Sequence, residues 1–232
     1  MNPLFLLDFD GVLFDSAYEA YTVCQKVSEN NKRYSRKISF DEFMDFRSVL
    51  TDAWQYGLLF ENDRKYPSLQ KVKKMKLDAD TQKFSEVFFE ARKELMKDDD
   101  WVKLMSPYPF FHQIKKYLIK YPDLFKIVST RNFESIKKTL DFHGVKELEI
   151  FGQEDIRLHG SKLAVAEHNK WSQDYYVIYI DDMNSHLEPF EGNINLCIHA
   201  DWGYDKSSKE SYTQLQAFQI LESIINLNKD SD

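Results

Sequence analysis

Two short apolar runs in this chain end in pairs of carboxylates. Residues 4–7 lead into Asp8 and Asp10, and residues 175–180 lead into a second pair of aspartates. Continuous apolar runs of this length are typical of strands that are buried on both faces of a parallel sheet. Further strands are predicted at residues 124–129, 148–151 and 194–199.

The chain between the first strand and the others has a different pattern. From about residue 17 to about residue 105, apolar residues recur at helical spacing, as in Tyr18, Tyr21 and Cys24, and no run convincingly indicates a strand. Ser39 followed by Glu42 has the pattern of a capping box, which predicts a helix start. We therefore expect residues 17–105 to form a helical domain inserted into a domain made of residues 1–16 and 106–232.

Helices are also predicted between the later strands. The periodicity indicates a helix over residues 110–121, and Asn132 and Gly144 suit the two ends of a second helix. Ser161 suits the N-cap of a third helix that runs to about Trp171. Strands that alternate with helices imply a right-handed, mostly parallel sheet covered on both faces. The predicted fold class is therefore α/β, with a Rossmann-like sheet and an inserted helical domain.

Composition narrows the classes of function. The chain has 232 residues and a formal net charge of −7, which disfavours a general nucleic-acid binder. A local positive site or a metal would still admit a small anionic substrate. The two cysteines lie far apart in the sequence and favour a reducing compartment over a disulfide framework. The N-terminal apolar run resembles neither a signal peptide nor a membrane span, so we expect a cytoplasmic protein without a membrane partner.

The acidic strand ends carry the candidate chemistry. Residues i and i+2 of a strand point to the same side, so Asp8 and Asp10 project together from the strand end, where ligands of open α/β sheets bind. Asp8 is placed as a candidate nucleophile and Asp10 as its acid/base partner, while Gly11 allows a sharp turn or a close approach to a phosphate. A second strand that ends in Asp181 and Asp182 predicts a site for a hard cation at this edge.

The segment from Asp8 to Ser16 resembles the first motif of the haloacid dehalogenase superfamily, Asp-x-Asp-Gly-x-x-x-Asp-Ser, in its helically capped phosphatase branch of phosphoglycolate phosphatase and β-phosphoglucomutase type. Residues 175–182 resemble the fourth motif in its Asp-Asp variant. Asp181 stands where the usual form has glycine, and His186 stands where it has a later acid. The resemblance implies that the helical insertion is a cap that closes over the active site.

The resemblance also implies roles for individual residues. Asp8 would form an aspartyl-phosphate, and Asp10 would protonate the leaving oxygen and then activate water. Ser129, with Thr130 as the second choice, would hydrogen-bond the phosphoryl group. Lys162, with Lys170 as the alternative, would steady the phosphoryl charge. The implied Mg²⁺ ligands are Asp8, Asp10 through its backbone carbonyl, Asp182 and, as second choice, Asp181, with Glu188 as a possible outer acid.

Substrate contacts are predicted around the phosphate and in the insertion. Near the phosphate they are Gly11, Thr130, Arg131 and Asn132, because a helix N-terminus beside a strand end favours an anion. In the insertion Arg47 is the candidate, and Trp54 and Tyr56 are further positions to watch, although ordinary packing explains all three.

We predict a Mg²⁺-dependent phosphatase that hydrolyses a small phosphorylated metabolite, with no nucleic-acid partner. Two alternatives stay open. One is a phosphomutase of the β-phosphoglucomutase type, and the other is a catalytically silent protein that keeps the fold for binding or regulation.

Overall fold

The computed structural model describes residues 1–208 and 210–229, and the chain divides into two compact units. Met1–Asp15 and Ser106–Asp232 form one unit, here called the core unit. Ser16–Met105 forms the other, here called the insertion unit. The predicted boundaries differ from these only in the assignment of Ser16.

The core unit is built on a parallel sheet. The strands of the described residues are β1 (Pro3–Leu7), β2 (Phe14–Asp15), β3 (Ser106–Pro107), β4 (Phe125–Val128), β5 (Glu149–Phe151), β6 (Tyr176–Asp181) and β7 (Leu196–His199). Five of them form one parallel sheet in the order β5-β4-β1-β6-β7, and β2 pairs with β3 in a small antiparallel ladder. The predicted α/β fold class with a mostly parallel sheet is confirmed.

Helices connect the strands of the core unit. They are α6 (Pro109–Lys120), α7 (Phe133–Phe142), α8 (Gln153–His159), α9 (Lys162–His168), α10 (Trp171–Asp174), α11 (Asn184–Leu187) and α12 (Gln214–Lys229), with 3-10 turns at Pro122–Leu124 and Glu188–Phe190. These helices bury both faces of the central strand, in agreement with its unbroken apolar sequence: every residue of β1 is buried. None of the described helices has the length and apolar character that a membrane crossing requires.

One predicted helix of the core unit ends at a different residue, and three short helices of this unit were not predicted. The helix that begins after Ser161 ends at His168 rather than near Trp171, because Lys170 adopts a left-handed conformation with φ of 57°. This turn starts α10 and lets the buried Trp171 pack edge-on against Phe151, with ring centroids 4.9 Å apart. No glycine or proline marks the break, so the sequence pattern did not reveal it. The unpredicted helices are α8, α10 and α11.

The described residues of the insertion unit form helices and loops without a strand, as predicted. The helices are α1 (Ala17–Asn30), α2 (Phe40–Arg47), α3 (Ala53–Phe60), α4 (Leu69–Lys74) and α5 (Ala79–Leu95), with 3-10 turns at Lys32–Tyr34 and Asp99–Leu104. The predicted capping box of α2 is confirmed: Glu42 accepts a hydrogen bond from the Ser39 backbone at 2.7 Å, and Ser39 Oγ accepts one from the Glu42 backbone at 3.2 Å.

A buried ion pair lies within the insertion unit. Arg92 donates from Nε to Glu19 Oε1 at 2.9 Å and from Nη2 to Oε2 at 3.0 Å, and Trp101 Nε1 donates to the same carboxylate at 3.2 Å. The side chains of Glu19 and Arg92 are 0 % and 6 % exposed. We call these three residues the insertion cluster. It joins α1, α5 and the Asp99–Leu104 turn.

Candidate active site

The register of the sheet brings two acidic strand ends together. Leu6 of β1 pairs with Tyr179 of β6, and Leu7 pairs with Ile180. Asp8 continues this register, because its backbone N–H donates to the carbonyl of Ile180 at 3.0 Å. Asp8 therefore lies beside Asp181, and side-chain alternation directs both carboxylates to the same face of the sheet.

Lys162 lies between these two carboxylates. Its Nζ is 2.7 Å from Asp181 Oδ2 and 3.2 Å from Asp8 Oδ2, and all three side chains are at most 5 % exposed. Lys162 is the first residue of α9, where Ser161 Oγ caps the helix by accepting from Ala164 N at 3.0 Å. A cation opposes the helix dipole at this end, so the two carboxylates offset an unfavourable placement.

The pKa values of this group follow from burial and charge. Burial, with repulsion from Asp181, raises the pKa of Asp8 against the attraction of Lys162 and a hydrogen bond from Ser129. Burial alone would raise the pKa of Asp181, but Lys162 and His186 outweigh it and hold that pKa well below its usual range. Burial alone would lower the pKa of Lys162, but Asp181 and Asp8 outweigh it and raise that pKa. Lys162 therefore stays charged and favours two carboxylates around it.

Asp181 has other hydrogen-bond partners in addition to Lys162. The hydroxyl of Tyr179 and the backbone N–H of Met183, at 2.8 Å, donate to its two oxygens, and His186 Nδ1 lies 3.2 Å from each of them. The contribution of Tyr179 was not predicted from the sequence. The available signal was its spacing, since residues two apart in a strand face the same side and a tyrosine hydroxyl needs a partner when buried.

Asp182 directly follows β6 and has a different partner from Asp181. Its Oδ2 accepts a hydrogen bond from the backbone N–H of Tyr204 at 2.6 Å. A Cβ added at Gly11 would overlap the Asp182 carboxylate, and one added at Gly203 would overlap its Cβ. Gly11 also has φ of +83°, so two independent constraints favour glycine there. The two adjacent aspartates at the end of β6 therefore have different surroundings, Asp181 beside Lys162 and Asp182 beside the backbone that follows Asp10.

Tyr204 also connects Asp182 to the end of the first motif. Its hydroxyl donates to Asp15 Oδ1 at 2.9 Å, and the neighbouring Trp202 donates from Nε1 to the carbonyl of Val12 at 3.0 Å. The segment after β7 thus holds the loop that carries Asp10 and Gly11. Neither aromatic residue was predicted to have this role.

The end of β4 supplies the remaining core-unit candidates. Ser129 is buried and forms the hydrogen bond to Asp8 noted above, while Thr130 and Asn132 are half-buried. Asn132 precedes α7, but its side chain accepts from Ser135 Oγ at 2.9 Å instead of capping the helix backbone. The buried Arg131 pairs through Nη1 with Asp10 Oδ1 at 3.0 Å. The predicted site residues on β1, β4, α9 and β6 thus lie at one edge of the sheet.

Other candidates lie elsewhere. Arg47 is buried in the insertion unit, where its Nη1 donates to the carbonyl of Leu50 at 2.8 Å. Trp54 and Tyr56 belong to the buried aromatic core of that unit. Lys170 is exposed at the turn before α10, and Glu188 is exposed at the start of a 3-10 turn. The substrate contact predicted for Arg47 stays a prediction.

The donor set fits a divalent cation. One ligand atom from each of Asp8, Asp181 and His186 lies within 4.8 Å of the others. Asp182 adds a third buried carboxylate, whereas Lys162 contributes a single positive charge. Buried carboxylates in excess over their counter-ions favour a hard cation with oxygen ligands.

Comparisons with known proteins define the fold. A scan against protein-family models and a search of curated proteins found no match. A predicted phosphatase from Clostridium acetobutylicum matches with a TM-score of 0.64 and 17 % identity, over 96 % of this chain and 99 % of that one. A haloacid dehalogenase-like family hydrolase from Streptococcus pneumoniae matches with a TM-score of 0.59 and 15 % identity, over 95 % and 98 %.

The chain therefore has the fold of the haloacid dehalogenase-like hydrolases, and the resemblance seen in the sequence is confirmed at that level. Protein tyrosine kinase A from Mycobacterium tuberculosis matches almost as well, with a TM-score of 0.63 and 11 % identity over 96 % of this chain and 98 % of that one. Proteins with different names share this fold, so the reaction has to be argued from the site.

Proposed function

We propose that this chain is a Mg²⁺-dependent phosphatase that hydrolyses a small phosphomonoester through a phosphoryl group bound covalently to Asp8. The observation that carries the proposal is the buried Lys162 between Asp8 and Asp181, at the sheet edge where such folds bind ligands. The likeness to hydrolases of the same fold supports hydrolysis as the reaction.

In the first half-reaction, an Asp8 carboxylate oxygen attacks phosphorus and the bond from phosphorus to the leaving oxygen breaks. Asp10 gives its proton to that oxygen, and the alcohol departs. In the second half-reaction, water attacks the phosphoryl group, its proton passes to Asp10, and the Asp8–phosphorus bond breaks to release phosphate. The cycle consumes one water and restores both aspartates.

Lys162 and Ser129 support this chemistry from fixed positions. The ammonium of Lys162, 3.2 Å from Asp8 Oδ2, favours the ionised nucleophile and stabilises negative charge on the transferred group. Ser129, which hydrogen-bonds Asp8, has a hydroxyl that can donate to a phosphoryl oxygen. Both side chains are buried, so neither needs to reorganise during the reaction.

Mg²⁺ would be held by Asp8, the backbone carbonyl of Asp10 and Asp182, and when bound it supplies charge neutralisation and orientation of the phosphate. Asp182 is favoured over Asp181, because the oxygens of Asp181 already accept from Lys162, Tyr179 and Met183. The role of Asp181 is then to hold Lys162 in place by accepting its hydrogen bond.

Hydrolysis of an aryl phosphate tests the proposal. We would measure turnover with Mg²⁺, with EDTA, and in Asp8→Asn, using Asp123→Asn on the exposed surface of the core unit as the matched control. Metal-dependent turnover that is lost in Asp8→Asn and kept in Asp123→Asn is expected, and turnover that persists in Asp8→Asn or in EDTA contradicts the proposal. If a panel of phosphate esters gives no turnover, Mg²⁺-dependent binding of a phosphate transition-state mimic would indicate a competent site that admits other substrates. Absence of that binding would support the silent-protein alternative.

A further inference from the structure

Arg131 connects the end of β4 to Asp10. Its Nη1 lies 3.0 Å from Asp10 Oδ1, and the two side chains are 1 % and 20 % exposed. The cation is therefore inside the protein, while the carboxylate reaches toward solvent, where a substrate can meet it. An arginine in this environment keeps its charge and offers a planar, directional set of donors.

Arg131 is itself fixed on several sides. Its Nε donates to Ser135 Oγ at 2.9 Å, and its guanidinium lies over the ring of Phe9 with Cζ 5.5 Å from the centroid. Ser135 is fully buried and in turn donates to Asn132. The backbone carbonyl of Arg131 accepts from Gln153 N at 2.9 Å. The guanidinium group is thus held by Ser135 on α7 and by Phe9, which follows β1, while Gln153 on α8 fixes the backbone of Arg131.

Asp10 needs such a partner. It lies in the turn after β1, directly before Gly11 with its φ of +83°, and the carboxyl group rotates about single bonds. Proton transfer to a leaving oxygen requires a hydrogen-bond distance and an aligned geometry, so a freely rotating acid loses much of its effect. A guanidinium that binds one carboxylate oxygen leaves the other directed away from it.

We infer that Arg131 is a positioning residue for Asp10, which it holds in the orientation that protonates the leaving oxygen. This inference rests on the proposed phosphatase function. It gives Arg131 a role in the reaction that differs from the substrate contact predicted from the sequence. Arg131 acts here through Asp10.

Leaving-group dependence tests the inference. Phosphoryl transfer to Asp8 from a phenyl phosphate with a strongly acidic phenol needs little help from an acid, whereas a weakly acidic phenol needs the proton of Asp10. We would measure kcat/KM over a series of substituted phenyl phosphates. Arg131→Gln should lower kcat/KM for the least acidic phenol by about 10-fold more than for the most acidic one. Asp10→Asn should show the same trend more steeply, and Arg131→Lys should recover part of the loss.

Controls separate this role from others. Lys137→Gln on α7, which removes the pair to Asp141, should leave the leaving-group trend unchanged. Arg131→Gln combined with Asp10→Asn should be no steeper than Asp10→Asn alone. A uniform rise in KM in Arg131→Gln would show a substrate contact, and a uniform fall in kcat/KM would show a structural role. Either result overturns the inference.

The same series distinguishes failure of the inference from failure of the proposed function. If wild-type turnover does not depend on Asp8, both the proposed function and the inference on Arg131 are contradicted. If turnover depends on Asp8 but Arg131→Gln keeps the wild-type dependence of kcat/KM on the leaving group, only the inferred role of Arg131 is contradicted.

A second readout needs no activity. In metal-free protein labelled with ¹⁵N-arginine, the Nε–H signal of Arg131 should shift in Asp10→Asn and in Ser135→Ala, and should stay in place in Asp123→Asn. An Arg131 Nε–H signal that does not shift in Asp10→Asn would contradict the pairing on which the inference rests.

Discussion

The two units of this protein each contain a buried cluster of charged side chains, but arginine or lysine matches the carboxylates one for one in only one of the two clusters. In the insertion cluster one guanidinium meets one carboxylate through two hydrogen bonds, and Trp101 provides a third. In the core unit one ammonium, Lys162, lies between two carboxylates, and Asp181 also accepts from Tyr179 and Met183. We call Asp8, Lys162, Asp181, Tyr179 and His186 the core cluster.

The difference indicates what each cluster does. A balanced, fully hydrogen-bonded pair is complete, and removing one partner leaves an uncompensated charge in the interior. An excess of buried carboxylate is unfavourable by itself and is relieved by a bound cation. We therefore expect substitutions in the insertion cluster to change stability, and substitutions in the core cluster to change activity and the response to metal.

Asp8→Asn should produce the largest effect. It removes the nucleophile, so we expect turnover of an aryl phosphate to fall by at least about 10⁴-fold. Because burial raises the pKa of Asp8, the ionised form of this carboxyl is less favoured in the folded protein than in the unfolded chain, and a neutral amide should keep or raise the melting temperature. Turnover and thermal melting of the same preparation test both statements, and a large fall in melting temperature would contradict the comparison.

Arg92→Met should produce the largest loss of stability. It leaves the carboxylate of Glu19 buried without its guanidinium, and we expect a loss of about 3–5 kcal/mol in the free energy of unfolding. Urea unfolding, together with hydrogen exchange of α1 and α5, measures the change. The double variant Glu19→Leu with Arg92→Met, which replaces both partners by apolar groups, should recover most of the loss. A single variant that costs less than about 1 kcal/mol would show that the pair behaves as an exposed one.

Lys162→Met should combine both effects. The variant loses the charge that stabilises the transferred group, and we expect kcat to fall by about 10²–10³-fold. It also leaves Asp8 and Asp181 facing each other, so Mg²⁺ should raise its melting temperature more than that of the wild type. Thermal melting against Mg²⁺ concentration tests this part, with Lys137→Gln as the control. If Mg²⁺ shifts the melting temperatures of Lys162→Met and the wild type equally, this would contradict the view that the core cluster carries excess negative charge.

The smallest predicted effect concerns pH. Burial alone would raise the pKa of Glu61, but hydrogen bonds from Arg64 and Arg33 outweigh it and hold that pKa below its usual value. A lowered folded-state pKa means that the stabilisation is present above the ordinary glutamate pKa and is lost as the pH falls below it. The arginines are 26 % and 35 % exposed, so we expect a loss of about 1 kcal/mol or less between about pH 5 and about pH 3.

Urea unfolding at the two ends of this pH range provides the measurement. Glu61→Gln should lack this part of the pH dependence, whereas Glu86→Gln, an exposed position on α5, should keep it. If the free energy of unfolding changes equally with pH in wild type and in Glu61→Gln, the pH dependence does not come from Glu61.

Much of the site could be predicted because strand geometry is local. The alternation of side chains and the parallel sheet place the two acidic strand ends at one edge, and Ser161 locates the start of the helix that carries Lys162. The partners of these residues were harder to foresee. Tyr179 beside Asp181 is signalled only by the two-residue spacing along the strand. Arg131 beside Asp10 follows from no motif, because that contact depends on which side chains tertiary packing brings together.

The misplaced helix end has a similar cause. Lys170 adopts a left-handed conformation without the glycine that usually marks one, and burial of Trp171 accompanies that turn. The helix propensity of the local sequence does not predict that packing. The identity of the substrate is likewise outside what strand ends and caps can specify.

The central claim is that Asp8 carries the phosphoryl group, and rapid quenching tests it most directly. The protein would be mixed with Mg²⁺ and an aryl phosphate, quenched in acid during turnover, and reduced with borohydride, which converts an acyl phosphate of aspartate to homoserine. We predict homoserine at position 8 by peptide mass spectrometry, and none in Asp8→Asn or without substrate. Turnover without modification of Asp8, or modification at another residue, would contradict the account.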